Sequence, residues 1–149
     1  MRIVLQRVKQ AKVQIDNQTV GAIDRGLLIF LGIAKGDGAP QVDKLAKKVV
    51  ELRIFEDAAG KMNLSALDVS AQLLVVSQFT LYGHCDKGRR PSFDEAAEPQ
   101  MAEGLYDYFV RALKKNNITV AAGRFGAMME VSLINYGPVT FILESNGDH

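Results

Sequence analysis

Seven consecutive residues, Leu27-Leu28-Ile29-Phe30-Leu31-Gly32-Ile33, carry no polar side chain. A strand with one face in water alternates apolar and polar residues, whereas an unbroken apolar run suits a strand buried on both faces. Residues 72–79, built on Leu73-Leu74-Val75-Val76, read the same way. Such strands need apolar cover on two sides, so the rest of the chain must be read for what can supply it.

Two helices are on offer. Val42, Leu45, Ala46, Val49 and Val50 fall at helical spacing, with Lys44, Lys47 and Lys48 between them and Pro40 suited to a first turn. Ser92-Phe93-Asp94-Glu95 has the Ser-x-x-Glu pattern of a capping box. It predicts a helix from about Asp94 to Lys115 with Met101, Leu105, Tyr108, Phe109, Ala112 and Leu113 turned inward, although Pro99 admits a later start. Strands are expected at 2–8, 11–15, 20–23, 118–121, 127–134 and 139–144, with turns at Asp16-Asn17-Gln18, Asp24-Arg25-Gly26 and Glu56 to Lys61. Residues 82–91 read as a polar loop and 144–149 as a frayed tail.

These elements predict an α/β fold, a mixed and barrel-like β structure with two main helices packed on it. Two helices cannot cover both faces, so other strands or a second subunit must cover the remainder. The 149 residues contain no linker, repeat or low-complexity segment, which predicts one domain over 1–149.

Composition narrows the function classes. A net charge of +1 argues against a protein that clamps long stretches of phosphate. A local patch could still grip one RNA end; Lys87-Gly88-Arg89-Arg90 is the densest, and it reads equally as a solvated basic loop. The single cysteine, Cys85, excludes an internal disulfide and suits a reducing, cytoplasmic setting. With His84 and His149 the only histidines, ligands for a metal-hydrolase cluster are too few, and neither metal nor cofactor is expected. No apolar run approaches the ~20 residues of a membrane span, and the early charges of Met1-Arg2-Ile3 do not suit a signal peptide.

Two apolar runs end in small hydroxylated residues. Ser77-Gln78-Phe79-Thr80-Leu81 follows Leu73–Val76, and Asn135-Tyr136-Gly137-Pro138-Val139-Thr140 follows Val131–Ile134. A strand that stops in such residues offers amides and hydroxyls to a ligand, and X-Pro bonds adopt cis at modest cost. Blander readings stand beside this one. Ser77 and Thr80 could satisfy backbone groups, Gly137-Pro138 could form a tight turn, and Thr140 could reflect β-propensity alone. As a nucleophile Thr80 would need a base, for which His84 is the one realistic source.

Taken together, the two segments closely resemble the signature motifs of D-aminoacyl-tRNA deacylases. The match runs collinearly from Arg2 to Phe141 through Gln6-Arg7-Val8, Arg53-Ile54-Phe55, Gly60-Lys61-Met62-Asn63-Leu64, Arg90-Pro91-Ser92-Phe93, Leu105-Tyr106-Asp107-Tyr108-Phe109 and Gly123-Arg124-Phe125-Gly126-Ala127. Their order and spacing make the resemblance specific.

The resemblance implies a homodimer that cleaves the ester between a D-amino acid, or glycine, and the 3′-terminal adenosine of tRNA. It implies that Ser77, Gln78, Phe79 and Thr80 line the catalytic pocket. Gly137-Pro138 would be a cis dipeptide entering the other subunit's site to block L side chains. Arg7 would hold that dipeptide and Met129 would line the pocket, with Asn135, Val139 and Thr140 in the same substrate-selecting segment. Tyr136 and Met128 depart from the family pattern, which commonly has acidic or polar residues there.

An aminoacyl ester is already activated, and the adjacent ribose 2′-OH can assist attack. The expected chemistry is therefore substrate-assisted hydrolysis with backbone N–H donors near Phe79 and Thr80, in preference to a Thr80 acyl-enzyme. The competing classes are a non-catalytic RNA-end or nucleotide-binding module and a structural dimer with a vestigial site.

Overall fold

The computed structural model describes residues 1–145. Strand β1 (Arg2–Ile15) runs through the middle of the β structure. Along one edge it pairs antiparallel with β8 (Glu130–Glu144). On its other edge Arg2–Val8 pair with β3 (Gly26–Gly32) and Ala11–Ile15 with β2 (Gln18–Ile23), both antiparallel. The sheet continues from β3 to β6 (Gln72–Ser77) and β7 (Val120–Ala122), all parallel. Parallel neighbours need crossovers. Helix α1 (Ala39–Glu51) and a small hairpin of β4 (Phe55–Glu56) and β5 (Met62–Leu64) lie between β3 and β6; α2 (Pro99–Lys114) lies between β6 and β7.

The apolar runs are buried on both faces, as expected. Leu27, Ile29 and Leu31 join Ile3, Leu5, Leu73 and Val75 under the helices. Leu28, Leu74 and Val76 point the other way, against Val8, Ala11, Val13 and Ile23. Strands cover this second cluster, through Val20 of β2 and Val131 and Leu133 of β8. The β structure thus curls into a nearly closed barrel. Gly21 marks the approach of β2 to β7, since a Cβ there would lie 2.9 Å from the Ala122 carbonyl oxygen.

Several elements differ from the sequence reading. Residues 2–8 and 11–15 are one strand, not two. Val8 and Gln10 of β1 face Asn135 and Ile134 of β8, so β1 carries one extra residue there. Such a bulge reverses which face the following side chains point to, and Ile3 and Leu5 face the helices while Ala11 and Val13 face the barrel. Residues 130–144 are likewise one strand. The turn between β1 and β2 holds Asp16 and Asn17 at φ 50° and 64°, the pattern of a two-residue primed turn.

Helix α1 buries the five residues named from its spacing, and Gln41 Oε1 accepts from Gly38 N at 2.8 Å to close its first turn. Helix α2 begins at Pro99, not Asp94. Proline fits a first helical position because its missing N–H would have no partner there. Its buried stripe is Ala102, Tyr106, Phe109, Val110 and Leu113, while Met101 is exposed. At the other end, Glu144 belongs to β8 and Ser145 is buried, donating its N–H to Met1 O at 2.9 Å. Residues 146–149 of the expected frayed tail lie outside the described residues.

The α-ammonium of Met1 is fully buried beside Asp37, 2.6 Å from Oδ2. Asp37 also accepts the Ala34 N–H at 2.7 Å, which ties the β3–α1 connection to the start of β1. Removing one partner of a buried ion pair leaves an uncompensated charge, at a cost of about 3–5 kcal/mol. Asp37→Ala is expected to lose stability on that scale in urea unfolding at neutral pH, and an unchanged midpoint would contradict it.

Candidate active site

Strand β6 ends where its pairing does. Gln78 N donates to Leu31 O at 2.8 Å, and the chain then winds into a single 3-10 turn over Phe79–Tyr82. The turn lies so close to β3 that a Cβ on Gly32 would sit 2.9 Å from Leu81 Cβ. Arg2 pins it from the side: Nη1 donates to Leu81 O at 2.6 Å, Nε donates to Glu144 Oε1 at 2.6 Å, and the guanidinium lies 4.7 Å from the Tyr82 ring centroid. The first N–H groups of a helical turn have no partner within it. Among the described residues the Phe79 and Thr80 amides donate to nothing. Thr80 is exposed, and its hydroxyl accepts from the Gln78 side-chain amide.

Beside this turn opens a cleft of about 690 Å³. Ser77, Gln78 and Phe79 form one wall, and Met129 and Val131 line it from the β8 side. Phe93 and Ala97, from the segment before α2, and Ala102 of α2 complete it. The Phe79 and Phe93 rings meet edge to face at 5.0 Å between centroids. Tyr106 fastens β6 to the end of β7, donating to Val75 O at 2.9 Å, with Gly123 O at 3.3 Å from the same hydroxyl. Burial, with Asp107 adding to it, pushes the Tyr106 phenol up to about 12, so it stays a neutral donor.

A second constellation is built where β8 leaves its ladder. Gln6 faces Thr140 and Val8 faces Asn135, so Tyr136 to Val139 loop out of the pairing. Asn135 closes the neck of the loop. Its Oδ1 accepts from Val139 N at 2.8 Å, and its Nδ2 donates to Thr140 Oγ1 at 3.1 Å. Thr140 Oγ1 also accepts from Gln6 Nε2 at 3.2 Å. Arg7 lies underneath, only 4% exposed. Its Nε donates to Tyr136 O at 2.9 Å and its Nη1 to Ile54 O at 3.0 Å, while Glu56 lies 3.6 Å from Nη2. At the tip, Gly137-Pro138 is cis and exposed, with Gly137 at φ +146° and Val139 buried behind it.

The residues singled out from the sequence therefore fall into two groups. Ser77, Gln78, Phe79 and Met129 line one cleft with Thr80 next in the turn. Arg7, Asn135, Gly137, Pro138, Val139 and Thr140 form the loop and its supports, and Gly137 and Pro138 are not among the residues lining the cleft. His84 does not reach Thr80 by a hydrogen bond; its Nε2 lies 3.0 Å from Glu95 Oε2. The two departures from pattern are both exposed. The Tyr136 ring has the Arg7 guanidinium 5.4 Å and the Lys9 ammonium 5.0 Å from its centroid, and Met128 stands at the rim of the cleft. Sequence reasoning did not single out Arg2, Ala97 or Ala102, whose roles come from a carbonyl contact and from small size, neither of which leaves a motif.

A family model described as D-Tyr-tRNA(Tyr) deacylase matches residues 4–144. The chain belongs to that family. The D-aminoacyl-tRNA deacylase of Geotalea uraniireducens (strain Rf4) is 59% identical over 145 residues, covering 97% of this chain and 94% of that one. That of Thermosipho africanus (strain TCF52B) is 56% identical over 145 residues, covering 97% of each. Among solved structures, the c-Myc DNA Unwinding Element Binding Protein superposes with a TM-score of 0.92 at 39% identity, covering 98% of this chain and 99% of that one. A probable eukaryotic D-amino acid tRNA deacylase shares the fold at a TM-score of 0.83 and 19% identity, covering 95% and 97%. Membership of the deacylase family makes the chain a hydrolase of aminoacyl-tRNA esters.

Proposed function

We propose that this deacylase acts as a two-fold dimer in which the partner subunit's Gly137-Pro138 loop stands in the Ser77–Thr80 cleft and excludes L side chains. On this reading it releases D-amino acids, and glycine, from the 3′-terminal adenosine of tRNA. The observation that carries the proposal is the separation of the two constellations. One chain offers an open cleft without the dipeptide, and elsewhere an exposed dipeptide held by Arg7 and Asn135.

The outer part of β8 supports an association. Ile134, Tyr136, Phe141 and Ile142 are 47%, 49%, 38% and 66% exposed on one long strand. An apolar strand left uncovered at the edge of a sheet invites pairing with another chain, and a two-fold interface uses the same patch on both subunits.

A backbone wall selects by collision rather than by recognising a side chain. It therefore passes D residues of many kinds, and glycine, which has nothing to collide. On this reading the Phe79 and Thr80 amides donate to the oxyanion that develops on the ester. No side-chain base touches the Thr80 hydroxyl among the described residues, which favours attack by water assisted by the substrate's 2′-OH.

Hydrolysis of D-tyrosyl-, glycyl- and L-tyrosyl-tRNA, with sedimentation at micromolar protein, tests this reading. Release of D-tyrosine and glycine by a dimer, with L-tyrosyl-tRNA spared, is expected. Full activity from a monomer, or equal cleavage of the L ester, would refute the wall.

A further inference from the structure

The loop that follows the Phe79–Tyr82 turn carries a local excess of positive charge. Between His84 and Ser92 stand Lys87, Arg89 and Arg90 against one carboxylate, Asp86, whereas the whole chain carries +1. The rest of the protein is therefore slightly acidic in sum, and the loop stands out by its net charge. All three are exposed, and among the described residues none of them takes part in an ion pair or a side-chain hydrogen bond. Exposed cations without a partner in the chain are free to meet an anion from outside it.

The fold fixes where this loop stands. His84 and Ser92 exchange two backbone hydrogen bonds, His84 N to Ser92 O at 2.8 Å and Ser92 N to His84 O at 3.0 Å, which pinch its base shut. The His84–Glu95 contact at 3.0 Å adds a second tie at the same end. On one side of the pinch is the turn carrying Phe79 and Thr80; on the other is Phe93, which lines the cleft and meets Phe79 edge to face. Gly88, at φ +68° with open space around it, lets the tip turn between Lys87 and Arg89. The loop that carries the cations thus springs from the wall of the cleft, its base one residue from Phe93.

We propose that Lys87, Arg89 and Arg90 form a phosphate-binding arm that receives the single-stranded RNA end preceding the esterified nucleotide. The inference rests on the aminoacyl-tRNA reading of the cleft. A nucleotide seated there continues into a chain with one negative charge per residue, and an unpaired cationic loop beside the cleft is complementary to it. Arginine's forked donors suit phosphate oxygens. An anchored base with an open tip lets the side chains follow a flexible strand.

The experiment compares two substrates across a salt series. One is full-length D-aminoacyl-tRNA, which carries the phosphates; the other is D-aminoacyl adenosine, which lacks them. For single strands each neutralised phosphate contributes about 0.7 to the log–log salt slope, so three contacts contribute about 2. The triple variant Lys87→Ala, Arg89→Ala, Arg90→Ala should lose that slope on tRNA. Its kcat/KM on tRNA should fall on the order of tenfold at about 50 mM salt and converge on the wild type near 200 mM. Cleavage of the adenosine ester should be unchanged, and Arg89→Lys, Arg90→Lys should restore most of the slope.

An unaltered slope and kcat/KM on tRNA would overturn the arm. An equal loss on both substrates would also overturn it, by showing that the loop acts through the shape of the cleft. If the wild type cleaves neither D ester, it is the deacylase reading that fails, and the two failures are thus distinct.

Discussion

Gly137→Ala is expected to reduce hydrolysis of D-aminoacyl-tRNA about a hundredfold while leaving a folded protein. At φ +146° a side chain is strained whatever the space around it, and here there is none. The new Cβ would lie 2.6 Å from Val139 Cγ2, 2.9 Å from Val139 N and 3.3 Å from Arg7 Nη2. Two of these are on Val139, which is buried and tied through its N–H to Asn135, and the third is on an arginine with two carbonyl partners. None can yield without moving the loop. A strained residue costs about 1–3 kcal/mol, which a domain of this size can survive, whereas a shift of about 1 Å at a reacting site can cost a hundredfold in rate.

Gly36→Ala is the matched control. Gly36 also has positive φ, +88°, but its Cβ would meet nothing within 4 Å. It should lose stability through the backbone strain alone and keep its activity. Normal cleavage of D-tyrosyl-tRNA by Gly137→Ala, with Tm lowered as in the control, would remove the wall from the account.

What the sequence made legible, and what it hid, divides along physical lines. Burial of Leu27–Ile33 on both faces and the buried stripe of α1 followed from periodicity, because side-chain period and backbone period are the same fact. The continuity of β1 did not. Lys9 and Gln10 interrupt the apolar pattern as a turn would, and only pairing with Asn135 and Ile134 shows a bulge.

The same holds for Asn135 to Thr140. Polar residues between two apolar runs look like a connection between strands, yet the ladder closes again behind them, with Asn135 acting as the clasp. The Ser92–Glu95 pattern misled for a related reason. Ser92 spends its backbone groups on His84 and Glu95 spends its carbonyl on Lys35, so the helix waits for Pro99. Local signals of this kind are overruled whenever a distant partner takes the same donor or acceptor. The candidate site was legible as two hydroxyl-bearing strand ends. That they occupy separate places on one chain could only come from the fold.

The other large effect concerns the nucleophile. A tRNA ending in 2′-deoxyadenosine, with the D-amino acid on the 3′-oxygen, should bind normally and be cleaved about 10²–10⁴-fold more slowly, the usual contribution of a positioned acid–base group. Thr80→Ala should lose less than about tenfold, because its hydroxyl would supply neither the bond-forming atom nor the proton transfer. The geometry around Thr80 motivates both expectations. Its hydroxyl is exposed and accepts a hydrogen bond from the Gln78 amide, and an amide N–H donor cannot take the hydroxyl's proton. His84, the one histidine near in sequence, faces Glu95 instead. What the turn does offer is a pair of backbone amides, at Phe79 and Thr80, that have no partner among the described residues, and the substitution of a side chain leaves both in place. Single-turnover hydrolysis with the two substrates and two proteins separates the cases. Loss of all turnover in Thr80→Ala, an acyl group trapped on Thr80 in the wild type, or unimpaired cleavage of the deoxy substrate would each transfer the chemistry from the substrate's ribose to the protein.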